Sequence, residues 1–191
     1  MNAKLNPFSG AQSDILSSCP IAHTAQIPSE EDTQVDGDTF TSISDNSSTI
    51  LFDPVIKKGI VKFEFQSIYH LNEVGIADKT VKYERKDFPD ERGQEKIVRY
   101  NTFGKIEHIG DFIDGNAKFW NNEDRVTFEM DMDSSPRTLT FFVNDEELPN
   151  YVTNIPAAVR AFMLFKNESF KVLKFEALSA PTAKHGAGSR A

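Results

Sequence analysis

The chain has 191 residues, a formal net charge of −8, 39% hydrophobic residues and a single cysteine, Cys19. This length suffices for one domain with a sizeable core. The charge excludes the clustered basic face that nucleic-acid binding needs, and the lone cysteine excludes an internal disulfide and a cysteine-based zinc cluster.

The N-terminal part of the chain differs in composition from the rest. Residues 1–49 carry seven acids and one lysine, whereas residues 50–191 carry 22 acids and 20 basic residues. Residues 1–46 are rich in Ser, Thr, Asp, Glu and Pro and show no sustained period, so we expect this acidic segment to be disordered. The apolar groups "DIL" (14–16) and "CPIAH" (19–23) are either a partner-docking motif or, more simply, part of a linker.

The sequence contains no recognisable targeting segment. The first twenty residues lack the apolar stretch of a secretory signal, and no apolar run reaches the roughly 18 residues that a membrane helix needs. Together with the single cysteine, this predicts a cytoplasmic protein that does not associate with membranes. No pattern predicts an oligomeric state.

From about residue 50 the sequence consists of short alternating apolar runs separated by turn residues. In "GIVKFEF" (59–65), Val61, Phe63 and Phe65 fall on one face of a strand. Further strands are predicted at 72–78, in a hairpin at 96–110, and at 124–133, 138–144, 158–165 and 169–178. Many short strands with regular turns predict an all-β sandwich over residues 47–178, followed by a flexible tail at 179–191.

These segments, in this order, resemble the SPRY domain, which is called B30.2 in its longer form. The opening strand "KKGIVKFEFQS", the short strand "NEVGIAD" and the closing pair "VTNIPAAVRAFMLFKNESFKVLKFEAL" each resemble a segment of the family. The most specific match is "DRVTFEMDMDSSPRTLTFFVNDEEL", because the family has a strand ending in alternating Asp, a turn, and a strand that ends in Asn-Gly. The resemblance covers roughly residues 50–178 and extends to divergent SPRY-like domains associated with protist proteins.

Two departures from the family pattern affect the loops. Asp145 stands where the family has glycine, although Asp tolerates the left-handed backbone of such a turn, and "NNED" (121–124) replaces Gly-Asp. The resemblance implies a concanavalin-like β-sandwich of two antiparallel sheets. It also implies a non-catalytic protein-interaction module without a cofactor, which binds a peptide or protein surface through loops at one end.

The alternating acids Glu129, Asp131 and Asp133 suggest an alternative, a carbohydrate-binding or glycoside-hydrolase jelly roll. A retaining hydrolase needs its two carboxyl groups about 5 to 5.5 Å apart. Residues four apart on a strand are separated by about 13 Å of rise, and the short Asp133 cannot close that gap. We therefore expect these acids to face water or to pair with Arg125, Arg137 or lysines, and we expect no enzyme.

Metal and cofactor sites are not predicted. His70 and His108 are not at ligand spacing, and a zinc site needs three or four ligands. No nucleophile elbow, P-loop or dinucleotide-binding glycine motif occurs in the sequence. We expect neither catalytic residues nor a bound cofactor.

A sandwich that binds a protein partner is expected to use loops displayed by its rigid scaffold. Candidate loops are 67–72, 83–96, 118–124 and 144–154, and we expect the long loop 83–96 to be the main specificity element. Interfaces favour Tyr, Trp and Arg anchors. The residues predicted to contact the partner are Tyr69, Arg85, Phe88, Trp120 and Tyr151. For Trp120, burial in the core at a strand end is an equally good interpretation.

Overall fold

The structure is almost entirely β. The computed structural model describes residues 17–185, and this range contains fifteen strands and two short 3₁₀ turns. The strands are β1 Ser18–Pro20, β2 Thr24–Gln26, β3 Thr33–Asp36, β4 Thr39–Ser42, β5 Ser48–Ile56, β6 Ile60–Tyr69, β7 Glu73–Asp78, β8 Ile97–Asn101, β9 Ile106–His108, β10 Asp111–Ile113, β11 Arg125–Asp131, β12 Thr138–Val143, β13 Glu146–Thr153, β14 Val159–Phe165 and β15 Ser169–Leu178. The 3₁₀ turns cover Pro89–Arg92 and Gln94–Lys96. No helix in this part of the chain has the length and apolarity to span a bilayer.

The strands pair into two antiparallel sheets. Sheet A has the order β13, β12, β11, β6, β15, β4, β3, and β1 pairs with residues 176–178 of β15. Sheet B has the order β10, β9, β8, β7, β14, β5, β2. The inner faces of the two sheets share one hydrophobic core. The predicted sandwich of two antiparallel sheets is confirmed.

Alternation along the strands accounts for the core. Phe63 and Phe65 of β6 and Phe128 of β11 are fully buried, because every second side chain of a strand points to the same face. The ring centres of Phe63 and Phe128 are 5.4 Å apart across the pairing of β6 with β11. Phe52 of β5, in sheet B, packs against Phe63 of sheet A, with ring centres 5.0 Å apart. Each such buried ring contributes about 1.5–3 kcal/mol relative to an exposed one.

The prediction of N-terminal disorder is wrong for the residues that the structure describes. Residues 17–46 contain strands β1 to β4, so the domain begins before residue 47. Strand β2 pairs with β5, and the β3–β4 hairpin extends sheet A through β15. Phe40 is 3% exposed and stacks on Phe170 with ring centres 4.9 Å apart. Apart from the pairing of β3 with β4, the hydrogen-bond partners of these strands lie in β5 and β15, outside this segment, which local composition cannot reveal. The group "DIL" at 14–16 lies outside the described residues.

The predicted loop 144–154 is mostly strand β13. Asn144 and Asp145 form the turn from β12, with φ of 52° and 71°. Asp145 therefore adopts the left-handed conformation for which glycine is the usual residue. Strand β13 lies at the edge of sheet A, a position that tolerates Pro149 because an edge strand can lack an amide donor.

The C-terminal tail also differs from the prediction. Residues 179–185, expected to be flexible, lie against the face of sheet A that points away from the core. Two carboxylates of that face, Glu129 and Glu147, accept hydrogen bonds from the backbone of residues 182–185. Residues 186–191 lie outside the described range.

Candidate functional site

Four turns meet at one end of the sandwich and enclose a cleft of about 420 Å³, which we call the end cleft. The turns connect β6 to β7, β8 to β9, β10 to β11 and β14 to β15. The end cleft is lined by His70, Leu71, Asn72, Thr102, Phe103, Trp120 and Glu168. It therefore takes side chains from turns of both sheets, at the point where β6 of sheet A passes to β7 of sheet B.

Hydrogen bonds between the turns fix the shape of the end cleft. The Thr102 amide donates to the carbonyl of Asn72 at 2.9 Å. Thr102 Oγ1 donates to the carbonyl of Phe119 at 3.0 Å, and the Phe119 amide donates back to the carbonyl of Thr102 at 3.3 Å. Three of the turns thus form one hydrogen-bonded unit, and their side chains project from a fixed scaffold.

Two adjacent residues at the rim have opposite surroundings. Phe119 is fully buried, with its ring centre 4.8 Å from that of Tyr100. Trp120 is 50% exposed, and Lys118 Nζ lies 4.7 Å from the centre of its ring. Phe119 thus anchors the chain in the core while Trp120 remains at the surface. Of the two interpretations of Trp120 from sequence, burial in the core is the wrong one.

The rim carries further exposed aromatic side chains. Phe103 is 62% exposed and Tyr69 is 52% exposed. Tyr69 adjoins the end cleft through His70, whose ring centre lies 4.3 Å from that of Tyr69. Scattered exposed hydrophobic residues are ordinary on a protein surface, but a group of them around one concave site marks an interaction surface.

A buried carboxyl forms part of the wall of the end cleft. Glu168 is 8% exposed, and its Oε2 atom has no hydrogen-bond partner within residues 17–185. Burial raises the pKa of Glu168 to about 8; backbone amides of Lys166 and Asn72 oppose this shift by hydrogen bonding, and the charge of Glu73 adds to it. Glu168 is therefore mostly protonated at pH 7. Neither Glu168 nor Phe103 was predicted, because both stand in segments that the sequence marks only as turns.

The structure separates the predicted partner-binding residues into three places. Trp120 lines the end cleft, and Tyr69 lies beside it, against the lining residue His70. Arg85 and the 45% exposed Phe88 lie between β7 and β8, and Tyr151 lies in β13. None of these last three lines the end cleft. Of the five predicted residues, only Trp120 is part of its lining.

The loop 83–96, expected to be the main specificity element, packs over sheet B. Half-buried Tyr83 contacts a small hydrophobic cluster that includes Phe162 of β14. Tyr83 Oη donates to the carbonyl of Pro89 at 3.0 Å, and Arg85 forms two hydrogen bonds with Asp32, at 2.6 and 3.0 Å. Much of this loop is therefore scaffold that also holds the N-terminal segment in place.

The C-terminal segment covers the acidic strand β11. Glu129 is only 2% exposed, and its Oε1 accepts hydrogen bonds from the amides of Thr182 at 3.0 Å and Ala183 at 3.1 Å. Lys62 Nζ lies 3.8 Å from Glu129 Oε2. Of the two environments expected for Glu129, pairing with a lysine is the one observed, through Lys62. Glu129 does not face water, because a distant segment of the chain lies over it.

The same segment covers Tyr151. Glu147 accepts hydrogen bonds from the amides of Lys184 at 2.7 Å and His185 at 2.8 Å. The His185 ring stacks on Tyr151 with centres 3.9 Å apart, and its Nε2 lies 2.7 Å from Thr140 Oγ1. The chain's own residues therefore occupy the surface that a partner would meet at Tyr151.

The other two acids of the motif belong to turns. Asp131 Oδ1 accepts hydrogen bonds from the amides of Asp133 at 3.1 Å and Ser134 at 2.9 Å, and Asp133 Oδ1 accepts one from Gly59 at 2.8 Å. With Glu129 engaged as well, this geometry gives the hydrolase alternative no support. Within residues 17–185, no group of three or more His, Cys, Asp or Glu side chains is placed to hold a metal ion.

A second cleft, of about 480 Å³, lies between the edge strands β2 and β3. Its lining includes Ile27, Val35 and Phe40, together with Thr33, whose buried Oγ1 has no hydrogen-bond partner. This cleft is larger than the end cleft. Its exposed large side chain is Val35, at 42%, and no exposed aromatic ring stands on its rim. The end cleft is the better candidate because it combines such rings with a buried carboxyl that has one oxygen without a hydrogen-bond partner.

Known proteins identify the fold. No protein-family model and no curated protein sequence matches this chain. Among solved structures, the SPRY domain of human HERC1 is similar, with 20% identity and a TM-score of 0.59 over 78% of this chain and 98% of that domain. The TRIM65 PSpry domain shows 11% identity and a TM-score of 0.57 over 74% of this chain and 83% of that one.

A third similar structure is that of stonustoxin, with 11% identity and a TM-score of 0.56. The match covers 81% of this chain and 27% of the stonustoxin chain. All three identities are low, so these similarities establish the fold alone. The chain has the β-sandwich fold of SPRY domains, as the resemblance of its strands implied.

Proposed function

We propose that this chain is a non-catalytic protein-interaction module that binds an extended segment of a partner protein in the end cleft. The observation that carries the proposal is the exposure of Trp120, Phe103 and Tyr69 around one concave site at the end of a rigid sandwich. The SPRY-type fold supports an interaction role in general. A fold alone does not define a ligand, so the proposal rests on the site.

Energetics favour the end cleft as a binding surface. Burial of a large aromatic side chain in an interface contributes about 1.5–3 kcal/mol, and such residues at interface centres are common hot spots. The hydrogen bonds of Thr102 with Asn72 and Phe119 hold the turns in place. A preorganised site loses less conformational entropy when a partner binds.

The dimensions of the end cleft fit a partner segment better than a flat protein surface. A volume of about 420 Å³ lies within the range of pockets that enclose most of a small ligand. One or two side chains of an extended peptide would fill it, with the peptide backbone crossing the rim beside Trp120 and Phe103. A flat partner would leave the cleft empty.

A peptide selection tests the proposal. The purified chain is used to select binders from a displayed random-peptide library, and the affinity of each selected peptide is measured by calorimetry. We expect Trp120→Ala and Phe103→Ala each to weaken binding at least about tenfold, as loss of a hot-spot residue does. The control is Phe112→Ala, which removes a 57% exposed aromatic residue of β10 outside the end cleft.

Two outcomes would reject the proposal. One is peptides whose affinity is unchanged in Trp120→Ala and Phe103→Ala. The other is a selection that yields no specific peptide from the folded wild-type chain. If Phe88→Ala alone abolished binding, the loop 83–96 would be the binding element and the end cleft would not.

A further inference from the structure

The end cleft contains a polar atom without a partner. Glu168 Oε2 is buried and receives no hydrogen bond, although a buried polar group normally has one and is costly without it. Glu168 is the only carboxyl group among the residues that line the end cleft, and no lysine or arginine is among them. Backbone amides of Lys166 and Asn72 hydrogen-bond the Glu168 carboxyl, but among residues 17–185 no group donates to its Oε2.

The free protein accommodates this carboxyl by keeping its proton. With the pKa of Glu168 raised to about 8 by burial, the uncharged form predominates at pH 7. A cation brought next to Oε2 would favour the charged form and lower the pKa. Glu168 thus has the properties of a carboxyl that becomes an ion-pair partner only when a cation enters the site.

The aromatic rim suits the same kind of ligand. A cation over the face of a Trp or Phe ring is attracted by the ring electrons. Lys118 Nζ already lies 4.7 Å from the centre of the Trp120 ring and covers one of its faces. Trp120 is nevertheless 50% exposed and Phe103 is 62% exposed, so ring surface is available to the stem and head of a second basic side chain.

We propose that the end cleft receives a lysine or arginine side chain of the partner, whose N–H groups donate to Glu168 Oε2. The stem of that side chain packs against Trp120 and Phe103. This inference rests on the proposed function and specifies the chemistry of the partner. The net charge of −8 favours the approach of basic segments.

Single amino-acid derivatives test this inference directly. Trp120 is the only tryptophan of the chain, so intrinsic fluorescence reports on the end cleft. The folded chain is titrated with N-acetyl-arginine methylamide and N-acetyl-lysine methylamide, and with N-acetyl-norleucine methylamide as the uncharged control. We expect a saturable change of Trp120 emission with one or both basic derivatives and none with the norleucine derivative at the same concentrations.

The pH dependence of this binding has a definite sign. The Glu168 proton must leave when the cation binds, so affinity should rise at least about tenfold between pH 6 and pH 8. The other titratable or charged groups near Glu168 are His70, Lys166 and Glu73, and Glu73 pairs with Arg99 at 3.2 Å. The variant Glu168→Gln retains all of these groups and should lose both the binding and its pH dependence. The control Glu146→Gln removes an exposed carboxylate of β13 and should change neither.

Three results would overturn this inference. The first is equal binding of the norleucine derivative, and the second is undiminished binding by Glu168→Gln. The third is an affinity that falls as pH rises, because protonated Glu168 would then be donating to a carbonyl group of the ligand. Selected peptides that need Trp120 and Phe103 but no basic residue would refute the inference and leave the proposed function intact. Basic derivatives that bind in the absence of any peptide binder would show that the cleft takes a cationic group, but they would refute the proposed function and with it the assignment of that group to a partner protein.

Discussion

Two buried glutamates of this protein have opposite surroundings. Glu129 on sheet A accepts hydrogen bonds from the amides of Thr182 and Ala183 and lies near Lys62. Glu168 in the end cleft has an oxygen without a partner and a pKa raised to about 8. Glu129 stands in a conspicuous acidic motif, yet its hydrogen bonds are complete. The comparison shows that the conspicuous acidic motif is engaged within the fold, whereas a turn residue outside any motif keeps an oxygen with an unmet hydrogen bond.

The largest expected effect concerns the support beneath the end cleft. Phe119→Ala should lower the free energy of unfolding by about 3–5 kcal/mol, because it leaves a cavity beside Tyr100 in the core. Urea denaturation measures this change. A loss below about 1 kcal/mol would show that the turn is not anchored in the core and that the end cleft is not preformed.

The next effect is a pH dependence of stability that Glu168 produces. The pKa of Glu168 is about 8 in the folded chain, against an ordinary value of 4.5. Its contribution to the stability of the folded state is therefore fully present below about pH 4.5 and is lost as pH rises through 8. Wild-type stability should therefore fall by about 3 kcal/mol more than that of Glu168→Gln between pH 5 and pH 8. Parallel stability curves for the two proteins, from urea unfolding at several pH values, would contradict the unpartnered state of this carboxyl.

A substitution of Glu129 on sheet A tests the case of a buried glutamate whose hydrogen bonds are made. Glu129→Ala should lower the free energy of unfolding by about 1–3 kcal/mol, because backbone amides of the C-terminal segment lose a charged acceptor. Chemical denaturation measures this loss, and Glu146→Ala, at an exposed position of β13, should stay within about 0.5 kcal/mol of the wild type. If the two variants were equally stable, the C-terminal segment would contribute nothing to the fold.

The smallest expected effect on stability is that of Trp120→Ala. Half of this side chain is exposed, so its removal should change the free energy of unfolding by less than about 1 kcal/mol. The loss of unfolding free energy should therefore be large for Phe119→Ala and small for Trp120→Ala. This difference would distinguish Phe119, which supports the turn, from Trp120, which is proposed to bind the partner. A thermal melt measures the change, and a loss as large as that of Phe119→Ala would mean that Trp120 mainly supports the core.

The long strands could be predicted from sequence because they alternate over many residues. Phe63 and Phe65 in β6 and Phe128 in β11 show this pattern, and the structure buries them. Strand β13 was missed because Pro149 and several polar residues interrupt its pattern, which only an edge strand permits. Strands β1 to β4 are not predicted because they are short and polar, and the strands that join them to the sheets, β5 and β15, lie outside this segment.

The candidate site was only partly predictable. Residue type alone predicts Tyr69 and Trp120, of which Trp120 lines the end cleft and Tyr69 lies beside it, against His70. Arg85 was selected by the same rule, but it pairs with Asp32, which no local pattern reveals. Glu168 could not be found because the burial of a turn residue depends on packing between distant segments.

A single measurement tests most directly whether the end cleft contains a buried carboxyl that its hydrogen bonds do not fully compensate. The carboxyl carbon of Glu168 is followed by NMR across a pH titration of the free chain, with Glu168→Gln used to assign the signal. We expect a midpoint near 8, because burial outweighs the hydrogen bonds from the backbone amides of Lys166 and Asn72. A midpoint near the ordinary value of 4.5 would mean that Glu168 is already solvated or paired, and the end cleft would lose the feature that distinguishes it from the rest of the surface.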